Sequence, residues 1–264
     1  MGGGVQAATP DVSVTPQLIH QHTPDTAVSP TPEVSAEPTE PAVSPTELPE
    51  PTPDVTEGPH ADGGKLIALT FDDGPSATVT DMILDVLEEY GAKATFFVLG
   101  ENAERFRSKL QRAHELGCEI GNHTYSHKYL DKLSAEEIRA QIDPVDAIVR
   151  EVTGADAPTF RPPGGRLDKG TFVVDTVGRP CILWSIDTRD WESKDRDSVV
   201  ANVLNDAADG DIVLMHDLYL STAEAVELIV PALMERGFTL VTVSELIAAR
   251  TESAVPRVYR SLRP

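Results

Sequence analysis

Residues Leu69-Thr70-Phe71-Asp72-Asp73-Gly74-Pro75 decide how the rest of the chain is read. An apolar run, Leu66-Ile67-Ala68-Leu69, leads into two adjacent carboxylates, and Gly-Pro then turns the chain. Successive strand side chains point to opposite faces, so Asp72 and Asp73 share a task only if the strand ends there. Two acids held close raise each other's pKa unless a cation lies between them. Taken alone, the motif reads as a strand-to-helix turn with Asp73 as a helix cap. The other polar clusters of the chain decide against that reading.

From Lys65 onward, strands alternate with helices. Apolar runs at 66–71, 94–99, 119–122, 159–161, 181–186, 212–215 and 238–243 suit buried parallel strands. Helical patterns lie between them at 80–90, 102–116, 134–152, 198–208 and 222–236. Gly91 and Gly117 are C-terminal stops, and Ser134 to Glu137 has capping-box spacing. Pro144 predicts a kink or two shorter helices, and Pro231 a bend. Seven strand–helix units predict one α/β barrel, a TIM-like (β/α)7 form smaller than the eightfold barrel of ~250 residues.

Polar clusters follow five of these strands: Asp72-Asp73, Asn122 to His127, Arg161 to Gly165, Asp187 to Trp191, and Leu214 to Asp217. In a parallel barrel the C-terminal strand ends share one face, where active sites sit. Capping alone does not explain five such arrivals. His123 and His127 are four residues apart, a spacing that places both imidazoles on one side of a helix or tight turn. With a carboxylate from the first strand they make two His and one Asp, the ligand set of an open catalytic zinc site. Asp73 would then hold the cation, and Asp72 would stay free to take a proton from water.

Composition bounds the rest. The chain has 264 residues and a formal net charge of −21. Residues 1–62 hold ten Asp or Glu, no Lys or Arg, twelve of the 21 prolines and no Phe, Trp or Tyr. Such a tract lacks the apolar area to offset its ordering entropy, so it reads as a disordered Pro/Thr/Ser/Glu-rich linker, a stalk. His20, His22 and His60 in it are given no role. The catalytic domain is read over 63–250, and 251–264 as a surface tail with no clear element. The acidic balance and lack of a basic run argue against nucleic acid as partner. No apolar stretch approaches the ~20 residues that span a bilayer. Cys118 and Cys181 read as buried apolar residues near strand starts rather than a bridged pair.

These motifs resemble those of the polysaccharide deacetylases, the carbohydrate esterases of the fourth family. The likeness runs from about Leu66 to Ile247, with all five motifs in order: 70–75, 123–127, 161–165, 187–191 and 214–216. It implies a distorted, seven-stranded barrel and a divalent metal on Asp73, His123 and His127, Zn2+ first, with Co2+ or Ni2+ as alternatives. It implies Asp72 as general base, oriented by Arg161, and His216 as general acid, held protonated by Asp190. The Gly164 backbone N–H would meet the oxyanion, and Pro163, Trp191 and Leu214 would wall the acetyl pocket. The family often has Tyr where Gly164 stands, which leaves the sugar contacts open.

The implied activity is removal of N-acetyl groups from N-acetylglucosamine in a cell-wall glycan, with peptidoglycan preferred. The runs 183–191 and 212–217 resemble the peptidoglycan members most. A chitooligosaccharide deacetylase or an acetylxylan esterase is the rival, followed by a non-catalytic glycan-binding barrel. The expected setting is extracellular or cell-surface, as a monomer, with membrane contact only through an N-terminal anchor outside these residues.

Overall fold

Strand β1 (Lys65–Asp72) is buried from Leu66 to Asp72. The computed structural model describes residues 64–264; the acidic proline-rich linker lies outside the described residues. After β1 come α1 (Val79–Tyr90), β2 (Thr95–Val98), α2 (Gly100–Arg105), α3 (Arg107–Glu115), β3 (Glu119–Asn122) and α4 (Ala135–Thr153). The second half holds α5 (Phe172–Val177), β4 (Cys181–Ile182), β5 (Ile186–Asp187), α6 (Asp190–Ser193) and α7 (Arg196–Asp206). It ends with β6 (Asp211–His216), α8 (Leu220–Glu235), β7 (Phe238–Leu240), α9 (Val243–Arg250) and β8 (Val258–Tyr259).

All strand pairings are parallel, in the order β3-β2-β1-β6-β5. β1 pairs with β6 along one edge from Ile67 to Asp72. Its other edge is shared: Lys65–Ile67 pair with β7, and Thr70–Asp72 with β2. The ring is completed through Phe160, which bridges Asn122 on one side and Cys181 on the other. The result is a distorted, TIM-like barrel.

The period of two along β1 sorts its side chains. Ile67, Leu69 and Phe71 join the large apolar layer with Ile83, Leu87, Val226 and Ile229 of α1 and α8. Leu66 and Ala68 pack with Phe97, Ile182 and Ile212. Thr70 and Asp72 belong to this second set by alternation, so the last residue of β1 delivers a carboxylate to the side that carries the site.

Several expectations are corrected. The run 159–161 is no strand. Pro158 and Pro162 flank Phe160 and have no N–H to donate, which leaves a single bridging residue. The run 181–186 splits into β4 and β5, because the Ile182 and Leu183 carbonyls accept hydrogen bonds from the buried Arg161 guanidinium. The pattern at 102–116 breaks at Phe106 (φ −128°, ψ 42°) into α2 and α3. By contrast α4 is one helix through Pro144. Burial of Ile138, Ile142, Val145, Ile148 and Val149 along its core face outweighs the lost hydrogen bond. Its capping box is present as expected, with Ser134 and Glu137 bonded reciprocally.

The stretch 251–264 is not a loose surface tail. β8 pairs with β4, Leu262 N–H donates to the Gly210 carbonyl at 2.7 Å, and Tyr259 and Leu262 are buried. Cys118 and Cys181 are free and buried, and burial pushes their thiols up to about 11 and about 12.

Candidate active site

The strand stops at Asp72, and Asp73 takes a left-handed conformation (φ 72°) that ends the alternation. The adjacent acids can therefore both serve one site. The turn is tied down from outside: Asn102 Nδ2 donates to the Asp73 carbonyl at 2.8 Å, and Leu99 N–H to the Gly74 carbonyl at 3.0 Å. Beneath it lies the buried Asp217 carboxyl, which accepts from Thr80 Oγ1 at 2.5 Å. A Cβ on Gly74 would collide with the Asp217 oxygens, so the motif requires glycine there. Burial pushes Asp217 up to about 7, and its contacts with Thr80 and the Gly74 turn make it a prop under the turn.

Asp73 Oδ1 lies 3.4 Å from His123 Nε2 and 3.3 Å from His127 Nε2. His123 Nδ1 is 2.8 Å from the Arg161 carbonyl. A carbonyl only accepts, so Nδ1 carries a proton and Nε2 is left facing Asp73. Asp73 Oδ1 is buried with no hydrogen-bond partner. An orphaned buried carboxylate oxygen beside two imidazole nitrogens fits a divalent cation, and one carboxylate with two His leaves coordination positions open. Burial opposes charge on both Asp73 and His123. The neighbouring charges win: His123, with His127 and His216, holds Asp73 below its ordinary value, and Asp72, then Asp73, holds His123 above its own. At His127 burial prevails and lowers its pKa.

Arg161 is fully buried and every arm is used. Nη1 bonds Asp72 Oδ1 at 2.7 Å and Thr70 Oγ1 at 2.8 Å, while Nε and Nη2 hold the Ile182 and Leu183 carbonyls at 3.1 Å each. Its plane lies 4.2 Å from the Phe97 ring centroid. Asp72 Oδ1 is thus committed to Arg161, whereas Oδ2 lies 3.7 Å from His123 Nε2.

From β6 comes His216, whose Nδ1 donates to Asp190 Oδ1 at 2.8 Å. Asp190 is fully buried and also accepts from the His216 and Trp191 N–H groups and from Thr222 Oγ1. Burial lowers the His216 pKa, but Asp190 overrides it and lifts it to about 9. The imidazole is therefore a cation at neutral pH, with Nε2 left for other partners.

These groups surround one cavity of ≈ 400 Å³, lined by Asp72, Asp73, His123, His127, Gly164, Trp191, Leu214 and His216. A profile of the polysaccharide deacetylase family matches residues 60–177. A peptidoglycan-N-acetylglucosamine deacetylase of Bacillus cereus is 39% identical over 190 residues, which cover 69% of this chain and 88% of that protein. The chain belongs to the polysaccharide deacetylase family.

Other relatives bear on how far the likeness extends. The peptidoglycan-N-acetylglucosamine deacetylase of Listeria monocytogenes is 40% identical over 198 residues, 75% of this chain but 42% of that protein. This polysaccharide deacetylase chain thus spans less than half the length of that relative. The solved family 4 acetyl xylan esterase of Clostridium thermocellum, in complex with a cobalt ion, superposes with a TM-score of 0.70. It is 33% identical and covers 75% of this chain and 99% of that one.

Arg161 and Asp190 do not line the cavity; they bond Asp72 and His216, which do. Pro163 is corrected: it is buried at the start of a 3-10 turn, Pro163–Gly165, and Gly164 reaches the cavity instead. The sequence reading missed Tyr129 and Tyr219 and gave no role to Trp184, all of which line the cavity with Asp187. The available signal was position, since each tyrosine follows a motif histidine by two or three residues. Supporting hydroxyls on Thr70 and Thr222 were invisible, because strand and helix threonines look alike in sequence.

Proposed function

We propose that the chain is a metal-dependent hydrolase that removes N-acetyl groups from N-acetylglucosamine residues of a cell-wall polysaccharide, with peptidoglycan the first substrate. One observation carries the reading. Asp72, the Asp73-His123-His127 group and the His216–Asp190 pair meet in a single cavity. Asp73, His123 and His127 would hold the cation, for which Zn2+ suits the donors best and Co2+ or Ni2+ are compatible. When bound, a divalent cation acidifies water and polarises the acetyl carbonyl.

The chain's own groups then divide the work. Asp72, aimed by Arg161, takes the proton of the attacking water as its oxygen bonds the carbonyl carbon. The Gly164 N–H meets charge growing on the carbonyl oxygen. Protonated His216, held in that state by Asp190, gives its proton to nitrogen as the C–N bond breaks. Acetate and a free amine result, and Leu214 and Trp191 fit the acetyl methyl. The stalk composition supports an extracellular or cell-surface enzyme, and no described helix is long and apolar enough to cross a membrane.

Acetate release from peptidoglycan, chitin oligomers and acetylxylan, measured on the Zn2+-loaded chain, tests the reading. Asp72→Asn should keep metal affinity and lose on the order of 10²–10⁴ in kcat, whereas Asp73→Ala should lose the metal itself. Full activity in Asp72→Asn would remove the proposed base. An acetylxylan esterase is the second reading, supported by the 33% identity to the Clostridium esterase; acetylxylan turnover far above that of both amide glycans would favour it.

A further inference from the structure

The backbone at Gly164 has φ +63° and presents no side chain to the cavity. The space is not empty. A Cβ built on Gly164 would lie 3.3 Å from Cε1 of Tyr129, so a ring from the loop after β3 stands where a side chain from position 164 would project. Tyr129 is 48% exposed, too open for core packing to account for its placement, and it lines the cavity with its ring centroid 6.4 Å from that of His127.

The ring is also fixed from behind. The Arg166 guanidinium lies 5.1 Å from its centroid and is held by Asp168 at 2.6 Å and by the buried Asp131 at 3.3 Å. Leu130, next in the chain, is fully buried and pins the backbone. A rigid, half-open aromatic face beside a polar centre offers amphipathic contact area at small entropic cost. A pyranose ring, with an apolar C–H face and hydroxyls at its edge, has the complementary chemistry.

Resting on the deacetylase reading above, we infer that Tyr129 is a specificity-determining residue of the cleft. Its ring stacks on a sugar of the glycan next to the reacting acetyl group, supplying from another loop the contact that Gly164 cannot make. Arg166 is the positioning residue for that ring.

The test uses the full Zn2+-loaded chain, the glycan turned over fastest by the wild type, and 4-nitrophenyl acetate as a substrate without sugar. Tyr129→Ala should raise KM for the glycan by about tenfold with kcat within about twofold. Its rate on 4-nitrophenyl acetate and its Zn2+ affinity, read by competition with a fluorescent chelator, should match the wild type. Tyr129→Phe should keep the glycan KM, and Arg166→Gln should raise it severalfold with kcat preserved. An unchanged glycan KM in Tyr129→Ala overturns the inference, as does an equal loss on 4-nitrophenyl acetate. Lost Zn2+ affinity would make Tyr129 a brace for His127 instead, and Tyr129→Phe behaving like Tyr129→Ala would move recognition from ring to hydroxyl. A wild type that releases acetate from no glycan overturns the functional reading itself, an outcome separate from all of these.

Discussion

At the scale of single residues, the proposed mechanism places the alkaline limit of activity on the pair His216–Asp190. Its imidazole is raised to about 9 because a fully buried carboxylate outweighs the burial that opposes charge. A general acid must carry its proton, so kcat/KM should fall as pH rises through about 9. Asp190→Asn removes the charge but keeps the shape, and should draw this alkaline limb down toward the ordinary histidine value of about 6.5. A pH–rate profile of both proteins checks it, and an unmoved limb would assign the limb to another group. The stability sign follows from the same shift. A raised folded-state pKa stabilises fully below about 6.5, and that contribution is lost as pH rises through about 9.

At the scale of elements, Arg161 ties its own segment to two others: β1 through Asp72 and Thr70, and the β4–β5 connection through the Ile182 and Leu183 carbonyls. Arg161→Ala should cost roughly 3–5 kcal/mol, because Asp72 is left buried without its partner and two carbonyls lose their donors. Urea unfolding measures it, and a loss under about 1 kcal/mol would show that water replaces the guanidinium. This residue also explains where the sequence was hard to read. β1, β3 and α4 were legible because each follows from its own letters: an apolar run, a short run before Asn122, a capping box. The run 181–186 looked like one strand because the hydrogen bonds that divide it come from a side chain 21 and 22 residues earlier. The five polar clusters were legible as a set, since a parallel barrel gathers its strand ends. Tyr129 was not, because only folding places its ring beside Gly164.

On the scale of the whole molecule, the C-terminal stretch acts as a clasp. β8 covers β4, Leu262 bonds Gly210, and Arg263 reaches the buried Asp211 at the start of the strand that ends in His216. Periodicity could not reveal this, because the segment is short and its burial comes from distant partners. Deleting residues 252–264 should lower Tm by roughly 10 °C, and an unchanged melt would show the clasp to be dispensable. The ring itself has one thin link. Between β3 and β4 it is held by the short stretch 159–161: Asn122 N–H donates to the Thr159 carbonyl and Arg161 N–H to the Asn122 carbonyl on one side, and Phe160 bonds Pro180 and Ile182 on the other. Opening that link frees the residue that steers the base while most of the sheet and helices persist. Rising urea should therefore silence turnover before it erases the far-ultraviolet helix signal, and amides at 159–163 should exchange with deuterium ahead of those in β1. The enzyme would then be fragile in activity well before it is fragile in shape.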